Sequence, residues 1–293
     1  MAIAARCLKM VIPKGRLQEK VVALLERVGV GLSFSSRSYR PVCSDSELDI
    51  KVLKSQNIPP LVALGRHDCG FTGFDWVVES GADRTGNIES VLDLGYNPVR
   101  IVVAVPDDLA ESGEYKKRQI IVASEYPVLA QRYLDERKLD AILVKTYGAT
   151  EAMPPEDADM IIDNTSTGAT LTKNRLTIVD EVMRSTTHMV ACSASLKDPW
   201  KKEKLDQLVM LIRSTMHADA KVLLEMNVDK ADFESLVNRL PAMRAPTVSP
   251  LYREEGFAVK VAVPKKEVAA LIPQLKAAGA RDILEYRLEK LVP

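Results

Sequence analysis

The sequence predicts an α/β protein built of two lobes and a small C-terminal unit. Three observations support that class. Short apolar strand patterns alternate with amphipathic helical patterns through the first half, which is the signature of strands covered by helices. The alternation restarts near Arg100 as a second lobe, and residues 176–193 read as the chain crossing back to the first. A stretch marked by Pro241, Pro246 and Pro250 then sets off a last strand–helix–strand unit.

In order, residues 8–13 read as a strand and 17–28 as a helix with Leu24, Leu25 and Val28 on one face. Residues 48–53 alternate as a strand, 59–64 form a short helix opened by prolines, and 68–73 form a strand followed by a helix to Glu79. The second lobe takes strands at 100–105 and 119–123, a helix at 127–138, and strands at 141–145 and 159–163. Two separate strand-like runs follow, 177–179 and 188–191, and then a long helical pattern over 200–224. The tail reads strand 256–263, helix 265–278, turn at Gly279 and strand 282–288. A unit of roughly 40 residues cannot build a large core alone. It must pack on the preceding helix, on strand residues near 221–227, or on another subunit. The expected divisions are 1–99 with 176–220, then 100–175, then 221–293.

The chain has 293 residues, 46% of them apolar, and 40 basic residues balanced by 40 acidic ones. That balance argues against general nucleic-acid binding and leaves room for a local anion pocket. Cys7, Cys43, Cys69 and Cys192 are widely spaced, without a Cys-x-x-Cys pair or nearby His cluster. Reduced thiols are expected, not a zinc site or a disulfide framework. The N-terminus lacks a signal-peptide pattern and no apolar run reaches the ~18 residues of a membrane span, so a cytoplasmic protein is expected.

The most informative segment runs from Asp163 through Asn164, Thr165, Ser166, Thr167, Gly168, Ala169 and Thr170 to Leu171. An apolar strand ends there in a carboxylate, and small residues with hydroxyls lead into a helix. Such a turn can cradle phosphate with backbone N–H groups and hydroxyls. A carboxylate offers only acceptors, which suits ribose hydroxyls. Phosphate beside sugar points to a phosphoribosyl group; the plainer reading is an N-cap and tight turn.

Lys14, Gly15 and Arg16 follow the first strand, where an α/β lobe presents its binding loop, and offer charge-assisted bonds to phosphate. Asp68, Gly70, Thr72 and Gly73 place small and polar residues at another strand end. A buried strand and turn would look the same. Glu151 lies in an acidic, proline-rich stretch before the phosphate turn and suits a magnesium–pyrophosphate, or a solvated loop.

Taken together, these segments resemble ATP phosphoribosyltransferase. Matching stretches include 14–17, 68–73, Tyr126-Pro127, 148–152, 158–163 and 166–171 with Asn174; in the tail they are 246–247, 249–251, Gly279-Ala280 and 283–284. The resemblance covers nearly the whole chain, and the tail marks the long form. It implies a two-lobed core like periplasmic binding proteins and a ferredoxin-like, ACT-like regulatory domain that binds histidine. It also implies ATP and phosphoribosyl pyrophosphate as substrates, Mg2+, and a homo-oligomer, dimer and hexamer. Asp163 and residues 165–170 would hold phosphoribosyl pyrophosphate. Lys14, Gly15, Arg16, Asp68, Gly70, Thr72, Gly73 and Glu151 would serve ATP or pyrophosphate, and Glu225, Ser249 and Leu251 the regulatory site. One stretch departs from the family, Pro154-Pro155-Glu156-Asp157, where a glycine-containing loop is usual. Two other readings stay open: a two-lobed receptor for a small anion, and a phosphoribosyltransferase acting on free bases. The latter more typically carries two adjacent acids where this chain has Asp163-Asn164.

Overall fold

The computed structural model describes residues 6–35, 38–241, 245–253 and 255–292. In chain order the elements are β1 (Leu8–Pro13), α1 (Arg16–Arg27), β2 (Leu32–Ser33), β3 (Val42–Cys43), β4 (Leu48–Leu53), α2 (Ile58–Ala63), β5 (Cys69–Gly73) and α3 (Phe74–Glu79). The second stretch contains β6 (Ile88–Pro106), α4 (Asp107–Ser112), β7 (Ile120–Ser124), α5 (Pro127–Arg137), β8 (Ala141–Lys145), β9 (Met160–Thr165), α6 (Ala169–Lys173) and β10 (Leu176–Cys192). The third contains α7 (Pro199–Asp219), β11 (Lys221–Asp229), α8 (Phe233–Val237), β12 (Thr247–Pro250), β13 (Gly256–Pro264), α9 (Val268–Ala277) and β14 (Arg281–Arg287). The chain divides into two compact units, residues up to 23 with 30–205, and residues 24–29 with those from 206 onward.

The first unit is an eight-stranded mixed sheet in the order β4-β1-β5-β10-β6-β9-β7-β8. β1 runs parallel to β4 and β5, and β7 runs parallel to β8 and β9. Between these parallel ends, β10 pairs antiparallel with both β5 and β6. The two strand-like runs expected within 176–193 are therefore one 17-residue strand, and the run at 100–105 is the end of a 19-residue one. The polar residues Asp180, Glu181 and Arg184 read as breaks because sequence patterns register side chains, not ladder bonds. Register shifts at Ile178/Asp180, Glu181/Met183 and Ser185/Thr187 carry the ladder past them, as bulges do in bent strands. Apolar clusters cover the sheet. Ile101, Val103, Ile120, Val122 and Ile162 pack with Tyr126 and with Leu129 and Leu134 of α5, and Val102, Ala104 and Ile161 pack with Leu171 of α6.

The second unit contains a four-stranded sheet in the order β12-β13-β11-β14. With α8 and α9 this is the β-α-β-β-α-β succession of a ferredoxin-like fold. The helical reading of 200–224 needs correction at its end, because the helix stops at Asp219 and β11 begins at Lys221. Val222, Leu224, Met226 and Val228 alternate fully inward, and β11 is paired on both sides, by β13 and β14. Non-local pairing overrides the local helix preference of Lys-Val-Leu-Leu-Glu. The tail's strand–helix–strand pattern thus closes around a strand borrowed from before the prolines.

Candidate functional site

β9 buries Met160, Ile161 and Ile162 and then presents Asp163, two residues beyond its last pairing with β7 at Ala123↔Ile161. β7 ends at Ser124, so Glu125 also leaves a strand terminus. Carboxyl ends of neighbouring parallel strands are where open α/β sheets bind ligands. After β9 the chain turns through Gly168, whose φ of 79° is left-handed and suits glycine. Hydroxyls of the turn shape it: Gly168 N–H donates to Thr165 Oγ1 at 3.0 Å and Ala169 N–H to Thr167 Oγ1 at 3.4 Å. Asn174 Nδ2 donates to the Thr170 carbonyl at 2.9 Å and ties off α6.

Asp163, Thr165, Ser166, Thr167, Ala169 and Thr170 line a cavity of about 420 Å³, together with Arg16, Glu125, Gly148, Ala149, Glu151 and Asn164. One guanidinium and three carboxylates therefore share it. Burial pushes the Asp163 carboxyl above its ordinary value; bonds from Thr150 and Asn164 oppose this, and the Glu151 charge adds to it. Glu125 is pushed up by burial, then by the charges of Asp163 and Glu151, with Lys54 opposing. Such mutual repulsion favours a ligand that brings hydroxyl donors or a cation among them.

Glu125 also lines a second cavity of about 550 Å³, with Lys54, Gln56, Asn57, Pro60, Trp76, Glu79, Ser80, Lys145, Thr146 and Tyr147. This wall combines two ammonium groups with two aromatic rings, which suits a phosphorylated ligand carrying a flat ring. Sequence reasoning missed Glu125, Lys54 and Lys145. A strand-end acid directly before Tyr126-Pro127 was a signal for the first; the lysines carry none beyond their charge.

The remaining candidates are placed elsewhere. Lys14 donates to the Tyr39 hydroxyl at 3.3 Å and sits over its ring, while Gly15 turns the chain with φ 94° so that Arg16 can line the cavity. Thr72 is buried and donates to the Ser55 carbonyl at 3.0 Å. A side chain at Gly73 would collide with the Asp75 carboxylate, and one at Gly70 with β1 and α2. Asp68 is 4% exposed and accepts from Lys201 at 2.8 Å, Ser195 at 2.6 Å and the Lys9 N–H at 2.8 Å. Burial raises its proton affinity, but those three bonds outweigh burial and hold it below the usual aspartate value.

Asp68→Ala is therefore expected to cost about 1–3 kcal/mol of stability by removing the buried acceptor shared by Ser195, Lys201 and the Lys9 N–H, while KM values in the folded protein stay unchanged. Because the folded pKa is depressed, this contribution is present above the ordinary aspartate pKa and is lost as pH falls through the folded value. Urea unfolding beside steady-state kinetics checks both; a KM increase without a stability loss would assign Asp68 to substrate.

In the second unit Glu225 pairs across β13 with Lys260, at 3.1 Å between charges, and Lys260 pairs with Thr247. Ser249 faces Ala258, which faces Asn227, so Glu225 and Ser249 share the sheet face opposite the apolar core, one strand apart. Exposed Leu284 and Tyr286 of β14 lie on that face too. Leu251 follows β12, its N–H donating to the Gly256 carbonyl at 3.0 Å.

The family model for ATP phosphoribosyltransferase matches residues 54–214, and the model for that family's C-terminal domain matches 218–290. The ATP phosphoribosyltransferase of Pelodictyon phaeoclathratiforme is 38% identical over 290 residues, covering 97% of each chain. That of Thermodesulfovibrio yellowstonii is 36% identical over 293 residues, covering 98% of this chain and 99% of its own. A solved ATP phosphoribosyl transferase (HisG:HisZ) complex from Thermotoga maritima aligns with a TM-score of 0.62 at 28% identity, over 70% of this chain and 98% of that one. Matched over nearly its whole length, with the hydroxyl-rich turn after β9 inside one matched span and the ferredoxin-like unit inside the other, the chain belongs to the ATP phosphoribosyltransferase family in its long form, transferases of histidine biosynthesis.

Proposed function

We propose that this chain transfers the phosphoribosyl group of phosphoribosyl pyrophosphate to N1 of ATP, giving phosphoribosyl-ATP and pyrophosphate. The observation that supports it most is the single cavity in which the hydroxyl-rich turn, the Asp163 carboxylate and Arg16 converge. Asp163 accepts from the ribose hydroxyls, and residues 165–170 hold the 5-phosphate with N–H and hydroxyl donors. Arg16 takes phosphate charge from the pyrophosphate or ATP, and Lys14, two residues before it and held at Tyr39, is read in the same role. ATP lies toward the cavity bearing Lys54, Lys145 and Trp76. N1 of adenine carries its lone pair at neutral pH, so the enzyme needs no strong base. Its work is to align two anionic substrates and stabilise the departing pyrophosphate.

Among the described residues no group of three or more His, Cys, Asp or Glu is placed to hold a metal ion by itself. The all-oxygen set of Glu125, Glu151 and Asp163 fits magnesium, which keeps waters and substrate phosphates and takes one or two carboxylates. Glu151 would hold it together with pyrophosphate, and bound magnesium would neutralise charge on the leaving group.

The chain is read as a cytoplasmic homo-oligomer, dimer and hexamer, inhibited by histidine at the face of Glu225, Ser249 and Leu251. No helix among the described residues is long and apolar enough to cross a membrane. Inhibition requires that histidine prefer a less active arrangement, and by linkage substrates then weaken histidine binding. A pyrophosphate-release assay is expected to respond to ATP and not to free bases. In the same assay histidine is expected to inhibit, and Glu225→Ala to relieve it. Release with free bases alone would assign the other phosphoribosyltransferase class, and no release with either would leave a binding protein. Inhibition untouched by Glu225→Ala, Ser249→Ala and Leu251→Ala would move the effector site off this face.

A further inference from the structure

We propose that Asp75 and Tyr126 are positioning residues for phosphoribosyl transfer, which orient Asn164 as an obligate hydrogen-bond donor to Asp163; this rests on the reading of Asp163 as the ribose-binding group. Asp75 is 4% exposed, in the first turn of α3. Its Oδ1 accepts from Ser185 Oγ at 2.6 Å and its Oδ2 from the Tyr126 hydroxyl at 2.8 Å. A carboxylate only accepts, so the one phenol proton of Tyr126 is committed inward. Tyr126 cannot swing away: it is 2% exposed, and its ring stacks on Trp76 at 4.4 Å. Burial, and then the Asp75 charge, hold the phenol firmly protonated.

The phenol oxygen is left to the cleft side only as an acceptor, and Asn164 Nδ2 donates to it at 3.2 Å. The same nitrogen donates to Asp163 Oδ1 at 3.2 Å, and the Asn164 backbone N–H donates to that oxygen at 2.6 Å. An amide nitrogen has two protons, one for each acceptor. Turned over, the amide would set its carbonyl against a phenol oxygen and a carboxylate with no proton among them. An acid at position 164 fails in the same way and adds a charge beside Asp163. The buried end of the chain therefore decides the polarity at its cleft end. It also gives a reason for Asn at the position where a second acid would otherwise follow Asp163.

The test is calorimetric titration of phosphoribosyl pyrophosphate with magnesium into the full chain, beside steady-state KM and kcat for both substrates. Asn164→Ala, an exposed position, is expected to weaken phosphoribosyl pyrophosphate roughly tenfold and to leave the ATP KM within about twofold. Tyr126→Phe should do the same, and the double variant should be no worse than Asn164→Ala, because both act through one bond. Asn164→Asp should be worse than Asn164→Ala. Additive losses, parallel changes in both KM values, or an Asn164→Asp protein that binds better than Asn164→Ala would each overturn the proposal. If Tyr126→Phe fails to fold, the two Asn164 variants decide alone. Asp163→Ala separates the levels: normal binding there overturns the ribose assignment, whereas a loss there with normal Asn164→Ala overturns only the positioning role.

Discussion

Replacing Asp163 with alanine is expected to weaken phosphoribosyl pyrophosphate binding by roughly ten- to a hundredfold with the fold intact. Each hydrogen bond to a charged acceptor contributes about 1.5–3 kcal/mol, and ~1.4 kcal/mol is a factor of ten. The fold should not suffer, because Asp163 sits in the cavity with Glu125 and Glu151 and its burial already disfavours its charge. Removing it also takes one repelling charge from Glu125, whose proton affinity should drop. The wild type carries a pH signature of the same arrangement. A carboxyl held above its usual value gains its proton at a higher pH than an ordinary aspartate. Affinity should therefore fall as pH drops through that raised value and be flat above it. Calorimetry across pH checks both statements, and wild-type affinity in a folded Asp163→Ala protein would sink the assignment.

Gly70→Ala is expected to lose about 1–3 kcal/mol of stability and no substrate affinity in the fraction that folds. A Cβ there would stand 2.5 Å from Val11 Cγ1, 2.7 Å from the Val11 carbonyl and 2.9 Å from Ile58 Cγ2. The carbonyl cannot yield without moving β1, which is paired with β5 at Val11↔Gly70 and with β4 along its length. The thermal midpoint should fall by about 2–4 °C per kcal/mol for a unit of this size. Gly70→Val should be worse than alanine. An unchanged midpoint with a raised KM would return this glycine to the ligand.

Gly70 and Asp68 show where reading the chain stopped short. Small residues and an acid at a strand end fit a ligand-facing loop and a buried strand junction equally well. Only the neighbours Val11, Ile58, Lys201 and Ser195, 12 to 133 residues away in the chain, favour the junction. Glu125 is the converse case. Its place at a strand end before Tyr126-Pro127 is only a weak signal, yet the fold sets it in one cavity with an acid 38 residues further on.

The turn after β9 was legible because everything that makes it is contiguous. Asp163, the hydroxyls of Thr165 and Thr167, Gly168 and the helix start lie within a few residues and carry their own turn chemistry. The alternation of strands and helices was legible for the same reason, since side-chain periods of 2 and 3.6 are local. What those periods could not reveal is partnership. That β11 is an inner strand of the C-terminal sheet, that β6 and β10 run unbroken through the large sheet, and that Asp75 reaches Asn164 through Tyr126 all depend on which segments meet. Sequence alone determined most of the elements and the hydroxyl-rich turn after β9, which is proposed to bind an anion. The tertiary structure decided which carboxylates share a cavity and which are spent on folding, because burial and hydrogen-bond partners come from non-local packing.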